Sequence, residues 1–95
     1  MIKCKQGRVI VSMELEQYRR NAQHKYGDDP LPLSDKLWDV YAIGQGVTNF
    51  DSTFPVQVGS KVLVNVSYSE TGRFVANGKV FNITKPDGIV GLDCA

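Results

Sequence analysis

Between Pro55 and Leu92 the chain alternates apolar and polar residues, and turn residues break the alternation at short intervals. Val56 and Val58 flank Gln57, Gly59-Ser60 interrupts, and Val62, Val64 and Val66 then share one face with Leu63 between them. Ser69-Glu70-Thr71-Gly72 reads as a tight reversal, Phe74-Val75 as a short strand, and Asn77-Gly78 as a second reversal before Val80, Phe81, Asn82 and Ile83. A period of two places successive side chains on opposite faces of a pleated strand. Asn-Gly is the sharpest cue, because both central residues of a type I′ hairpin turn need positive φ. The expectation is an all-β chain, a small irregular β-barrel in outline, with a three-strand meander in its second half.

At 95 residues the chain is one domain, residues 1–95. A domain of this size buries only about 60–65% of its unfolded surface, so assembly, metal or disulfides become possible supports. One His and two Cys, Cys4 and Cys94 at opposite ends, do not supply four clustered metal ligands. A net charge of +1 gives no long-range pull toward nucleic acid or an anionic membrane. No apolar run nears the ~20 residues of a membrane span. Met1-Ile2-Lys3-Cys4-Lys5 lacks the apolar core of a signal peptide, so the expected compartment is the cytoplasm, with both thiols reduced.

In chain order, residues 7–13 form the first strand, centred on Val9, Ile10 and Val11. Residues 14–36 then carry charges, amides and two prolines, with no sustained apolar face at either period. Two helical turns after Glu14 are conceivable, but Leu15 and Tyr18 alone make a weak stripe. A connection this long in a compact domain is usually functional or disordered. Its single apolar triplet, Leu31-Pro32-Leu33, follows the turn cluster Gly27-Asp28-Asp29-Pro30. It reads either as a leucine pair folded back on the barrel or as an exposed anchor, pre-extended by Pro32. Residues 37–43 are the next strand, with Trp38 expected in packing, and Gly44-Gln45-Gly46 is a sharp strand exit. Residues 47–55 are a short polar excursion carrying Phe50 and Phe54, residues 84–88 a turn, and residues 89–92 a last strand whose edge needs a partner.

No catalytic constellation emerges. His24 has no nucleophile placed near it in sequence, Asp28-Asp29 sits in a turn setting, and no P-loop, HExxH or CxxC is present. Any chemistry belongs to a partner, so the chain is expected to be no enzyme.

The order of features resembles the GroES-type co-chaperonin (chaperonin-10) family. The residues that carry it are Arg8-Val9-Ile10-Val11, a long polar loop, Val40-Tyr41-Ala42-Ile43-Gly44 with Gly46, then Val56-Gln57-Val58-Gly59-Ser60-Lys61-Val62-Leu63-Val64, and Asp87-Gly88-Ile89-Val90. The likeness spans nearly the whole chain; each motif is weak alone, and their order and spacing carry it. Two features depart from the pattern. The middle of the loop, Gln23-His24-Lys25, is polar where the family has Gly and an apolar tripeptide, and residues 47–55 are shorter than the family's roof hairpin. Divergence with the frame kept suits a phage-encoded variant acting in its host's cytoplasm.

The resemblance implies a GroES-like barrel with a mobile loop at residues 14–36, assembled as a sevenfold ring that caps a GroEL-type chaperonin. Ile2, Lys3, Cys4 and Lys5 of one subunit would meet Ile89, Val90 and Leu92 of the next, closing the ring by repeated heterologous contacts. Opposed strands of that kind would also bring Cys4 toward Cys94, the alternative to two free thiols. Tyr26, Leu31, Pro32 and Leu33 would dock on the chaperonin, and Tyr68 would face the cavity that encloses unfolded substrate proteins, or pack within its own barrel. ATP would be bound by the chaperonin, with no cofactor on this chain. The rival readings are an SH3-like or OB-like binding barrel using Trp38, Tyr41 and Tyr68, and a structural protein of a virion or other assembly.

Overall fold

A computed structural model describes residues 2–23, 36–48, 50–65 and 73–93. His24, Tyr26, Leu31, Pro32, Leu33, Tyr68, Cys94 and the expected reversal at residues 69–72 lie outside the described residues. The elements are β1 (Val9–Glu14), α1 (Leu15–Gln23), β2 (Trp38–Ile43), β3 (Lys61–Val64), β4 (Phe74–Ala76), β5 (Lys79–Thr84) and β6 (Ile89–Leu92). A 3-10 turn at Pro86–Gly88 leads into β6. The six strands make one antiparallel sheet in the order β4-β5-β1-β2-β3-β6. The chain is therefore mostly β, as its period-two patterning predicts.

Strand β1 organises the sheet. Flanked on both sides, it buries every residue from Val9 to Met13. Val9, Val11 and Met13 face a core shared with Val40, Val62 and Val80. Ile10 and Ser12 point to the opposite, outer face, where register aligns them with Ile83 and Phe81 of β5. Between Ile10 and Val11 the register with β2 slips, so Tyr41 is an extra residue on that strand. Such a bulge re-aims a side chain. Tyr41 packs edge-on against Phe81 at 5.0 Å between ring centroids, and Phe74 stacks on Phe81 at 5.1 Å. The sheet thus carries a second, smaller apolar cluster on its outer face.

The Asn77-Gly78 reversal forms as expected, with φ of 52° and 74°, and it joins β4 to β5. The expected three-strand meander is corrected. Strand β3 leaves the hairpin and pairs instead with β2 and β6, across the sheet. Alternation identifies faces and turns but does not choose a partner. Val62-Leu63-Val64, apolar on both faces, suits a strand held between two neighbours. Val56 is buried, but Val58 is 63% exposed and Gln57 is exposed with it, so the expected alternation around Gln57 does not hold in burial. The reason is that the segment is a turn, in which Ser60 N–H donates to the Gln57 carbonyl at 2.9 Å and Gly59 takes φ 95°.

The interval expected as a loop from residue 14 opens instead with structure, since β1 runs to Glu14 and α1 follows. Leu15 and Tyr18 do supply the buried side of this helix, packing against the core. The weak stripe suffices because tertiary contacts supplement it. Tyr18 meets Trp38 edge-on at 6.2 Å, and the Arg73 guanidinium lies 5.6 Å from the Tyr18 ring centroid and donates to its hydroxyl. Leu15 N–H donates to the Gly78 carbonyl at 3.0 Å, tying the first turn of α1 to the hairpin. Trp38 is buried, in the packing role expected of it.

Candidate functional site

The candidate residues that the structure describes lie in two separate places, strand β6 and the segment 2–5. Strand β6 ends the strand order, bonded to β3 through Val62↔Leu92, Leu63↔Gly91 and Val64↔Ile89. Bonds from Asn65 N–H to the Gly88 carbonyl (2.7 Å) and from Asp93 N–H to the Lys61 carbonyl (2.9 Å) extend that ladder at both ends. Ile89 is buried in the core and Leu92 packs against it, whereas Val90 is 60% exposed. Among the described residues no strand pairs with β6 on its far side. An edge of this kind presents backbone groups to whatever adds to it, and Val90 is the side chain such an addition meets.

The N-terminal segment lies elsewhere. Ile2, Lys3 and Lys5 are exposed, Cys4 is half-buried, and none belongs to a strand of this chain. The Cys4 thiol donates to the Arg8 carbonyl at 3.0 Å, and Arg8 N–H donates to the Lys5 carbonyl at 3.1 Å. Burial pushes the Cys4 thiol pKa up, only partly offset by the nearby backbone N–H groups of Ile10 and Gly44. That environment favours the neutral thiol over the thiolate. Ile2 shares one shallow groove with Tyr41, Ala76, Asn77, Lys79 and Phe81, and another with Cys4, Gln6, Ala42 and Gly44. The segment thus lies by β2 and the β4–β5 hairpin, while β6 sits beyond β3.

Gly44 explains how the segment fits. A Cβ there would stand 2.0 Å from the Lys5 carbonyl oxygen and 2.9 Å from its carbon, so Lys5 passes directly over a position that must lack a side chain. Gly44-Gln45-Gly46 is indeed a sharp exit, with Gly46 at φ 81°. Sequence reasoning did not reach the close approach at Gly44. The signal available was a glycine at a strand end, which often marks a close backbone approach.

Within the excursion, residues 51–54 carry local order that sequence reasoning also missed. One Asp51 carboxylate oxygen accepts from Thr53 N–H (2.8 Å), the Thr53 hydroxyl (2.6 Å) and Phe54 N–H (3.2 Å). The Thr53 hydroxyl, followed by these N–H groups, holds the exposed Asp51 carboxyl below its ordinary pKa. Phe50 and Phe54, 6.4 Å apart, pack against the core beneath. The spacing Asp51-Ser52-Thr53 was the legible cue, since a short acceptor side chain readily bonds the backbone two residues on.

Among the described residues no group of three or more His, Cys, Asp or Glu could hold a metal ion, and no helix is long and apolar enough to cross a membrane. No protein-family model matches the sequence, and no curated protein matches it either.

Proposed function

We propose that this chain is a co-chaperonin-like subunit whose strands curl into a small barrel, whose copies close into a ring, and whose loops cap a GroEL-type chaperonin during ATP-dependent folding. The observation that carries the reading is the separation of the two terminal segments. Strand β6 has an unpaired side among the described residues, and Ile2, Lys3, Cys4 and Lys5 lie outside every strand at a different part of the molecule. Two complementary surfaces that do not coincide give head-to-tail contacts, which close when the rotation is complete. A twofold dimer would instead need one self-complementary patch. The order of the sequence motifs supports the same reading.

In this account Tyr26, Leu31, Pro32 and Leu33 make the chaperonin contact, and Tyr68 faces the chamber. Each backbone residue fixed on docking costs about 1–2 kcal/mol, whereas each buried leucine returns about 1.5–3 kcal/mol. One loop therefore binds weakly. Several loops on one ring bind together, because every contact after the first is effectively intramolecular. Such a lid holds firmly but lets go when the chaperonin's apical sites change shape.

Leu31→Ser combined with Leu33→Ser tests the docking assignment. The double variant is expected to keep the oligomer of the parent protein and to lose nucleotide-dependent capture by a chaperonin in a pull-down. Capture at the parent level would show that docking uses other residues.

The binding-barrel alternative loses one of its three aromatic contacts, because Trp38 is 7% exposed and lies against Tyr18. A virion component would share the assembly surfaces but show no nucleotide-dependent association with a chaperonin.

A further inference from the structure

On the outer face of the sheet, Ile10 is 1% exposed and Phe81 5% exposed, although α1 packs on the other side. The N-terminal segment lies over this face. The Cys4 sulfur is within reach of the backbone N–H groups of Ile10 and Gly44, Lys5 rests on Gly44, and Ile2 lies in the groove beside Tyr41 and Phe81. We propose that residues 2–6 are a strap closed over the outer apolar face, keyed by the missing side chain of Gly44, and that pairing of Ile2 and Lys3 with a neighbour's β6 locks it shut. The second half of this proposal rests on the ring reading; the first half stands without it.

The anchoring is asymmetric. Cys4 and Lys5 are tied to Arg8, and Gly7 N–H donates to the Gln45 carbonyl at 2.8 Å with Gly7 at φ 74°, a left-handed pivot where the strap leaves β1. Beyond that pivot Lys3 is exposed and Ile2 is 36% exposed, so one side chain in a shallow groove holds the distal end. A segment fixed at one end by short-range bonds opens locally, well below the free energy of global unfolding. Opening uncovers Ile10, Phe81 and the Cys4 thiol together. Backbone pairing to a second chain would add restraint at the end that lacks it.

Cys4 alkylation reads the strap directly, in a Cys94→Ser background so that one thiol is followed. With iodoacetamide under native conditions, Gly44→Ala is expected to label about tenfold or more faster than the parent, since a side chain there expels Lys5. Ile2→Asp removes the distal apolar contact without altering the sheet and is expected to accelerate labelling in the same direction. Gly59→Ala is the control: Gly59 takes φ +95° with no atom within 4 Å of the added carbon, so it strains a turn without placing a side chain against residues 2–6. It is expected to leave the rate unchanged. Parent-like rates in both Gly44→Ala and Ile2→Asp would overturn the strap, as would equal acceleration by Gly59→Ala, which would mean that labelling follows global opening. The same assay on the parent oligomer and on diluted chains tests the lock, with slower labelling expected in the oligomer. An oligomer that labels as fast as dissociated chains overturns the lock. Absence of any oligomer overturns the ring reading, while the comparison of variants still decides the strap.

Discussion

Asn77 and Gly78 do by backbone conformation what most positions do by packing. Both hold positive φ, and a Cβ added at Gly78 would find no atom within 4 Å, so the cost of a side chain there is strain alone. Gly78→Ala is expected to lower stability by about 1–2 kcal/mol, read as a shifted urea midpoint at unchanged slope. This pair was fully legible, because an Asn-Gly dipeptide between alternating segments has few other uses. Asp51 was missed although the spacing Asp51-Ser52-Thr53 carried a cue, a short acceptor two residues before its donor. Its folded-state pKa is lowered, so its bonds contribute above the unfolded carboxylate range and are lost as pH falls through the folded value. Asp51→Asn is expected to flatten part of the fall in stability on acidification, measured by denaturant titration at several pH values. A parent and variant with identical acid limbs would show that the carboxylate does nothing for the turn. Gly44 shows a third kind of information: nothing in the chain marks which distant backbone will cross a glycine.

At the scale of elements, strand existence was easier to read than strand partnership. Residues 9–13 are apolar almost without interruption, and the described sheet places them between two strands. Ile89–Leu92 was readable as a last short strand for the same reason. The pairing of β3 was not readable, because Val62-Leu63-Val64 fits any position with neighbours on both sides. Helix α1 was underestimated for a physical reason. Its nine residues are too few to be stable alone in water, and Tyr18 gains its partners, Trp38 and Arg73, only through tertiary structure. Strand β6 offers a test at this scale. Val90 is 60% exposed, so Val90→Lys is expected to change the stability of the chain by no more than about 0.5 kcal/mol. A charged side chain on a free edge discourages strand addition, and the same variant is expected to abolish assembly. A Val90→Lys protein that assembles like the parent would remove β6 from the interface.

For the whole molecule, one six-stranded sheet with different surfaces at its two terminal segments is a shape suited to head-to-tail contact. The thin margin of a small core gives such contact a thermodynamic use as well as a geometric one, because burial between subunits adds to burial within them. The strap and the β6 edge would then be two halves of one joint. The proposed docking residues, Tyr26, Leu31, Pro32 and Leu33, would act only once that joint had gathered several loops on one body. The measurement that reaches the centre of this account is therefore the native mass of the purified protein by light scattering behind a sizing column. A single species of about seven chain masses, stable on dilution through the micromolar range, is the predicted result. A monodisperse monomer across the same range would contradict the ring, leaving a β-sheet domain with a closed strap and no lid function.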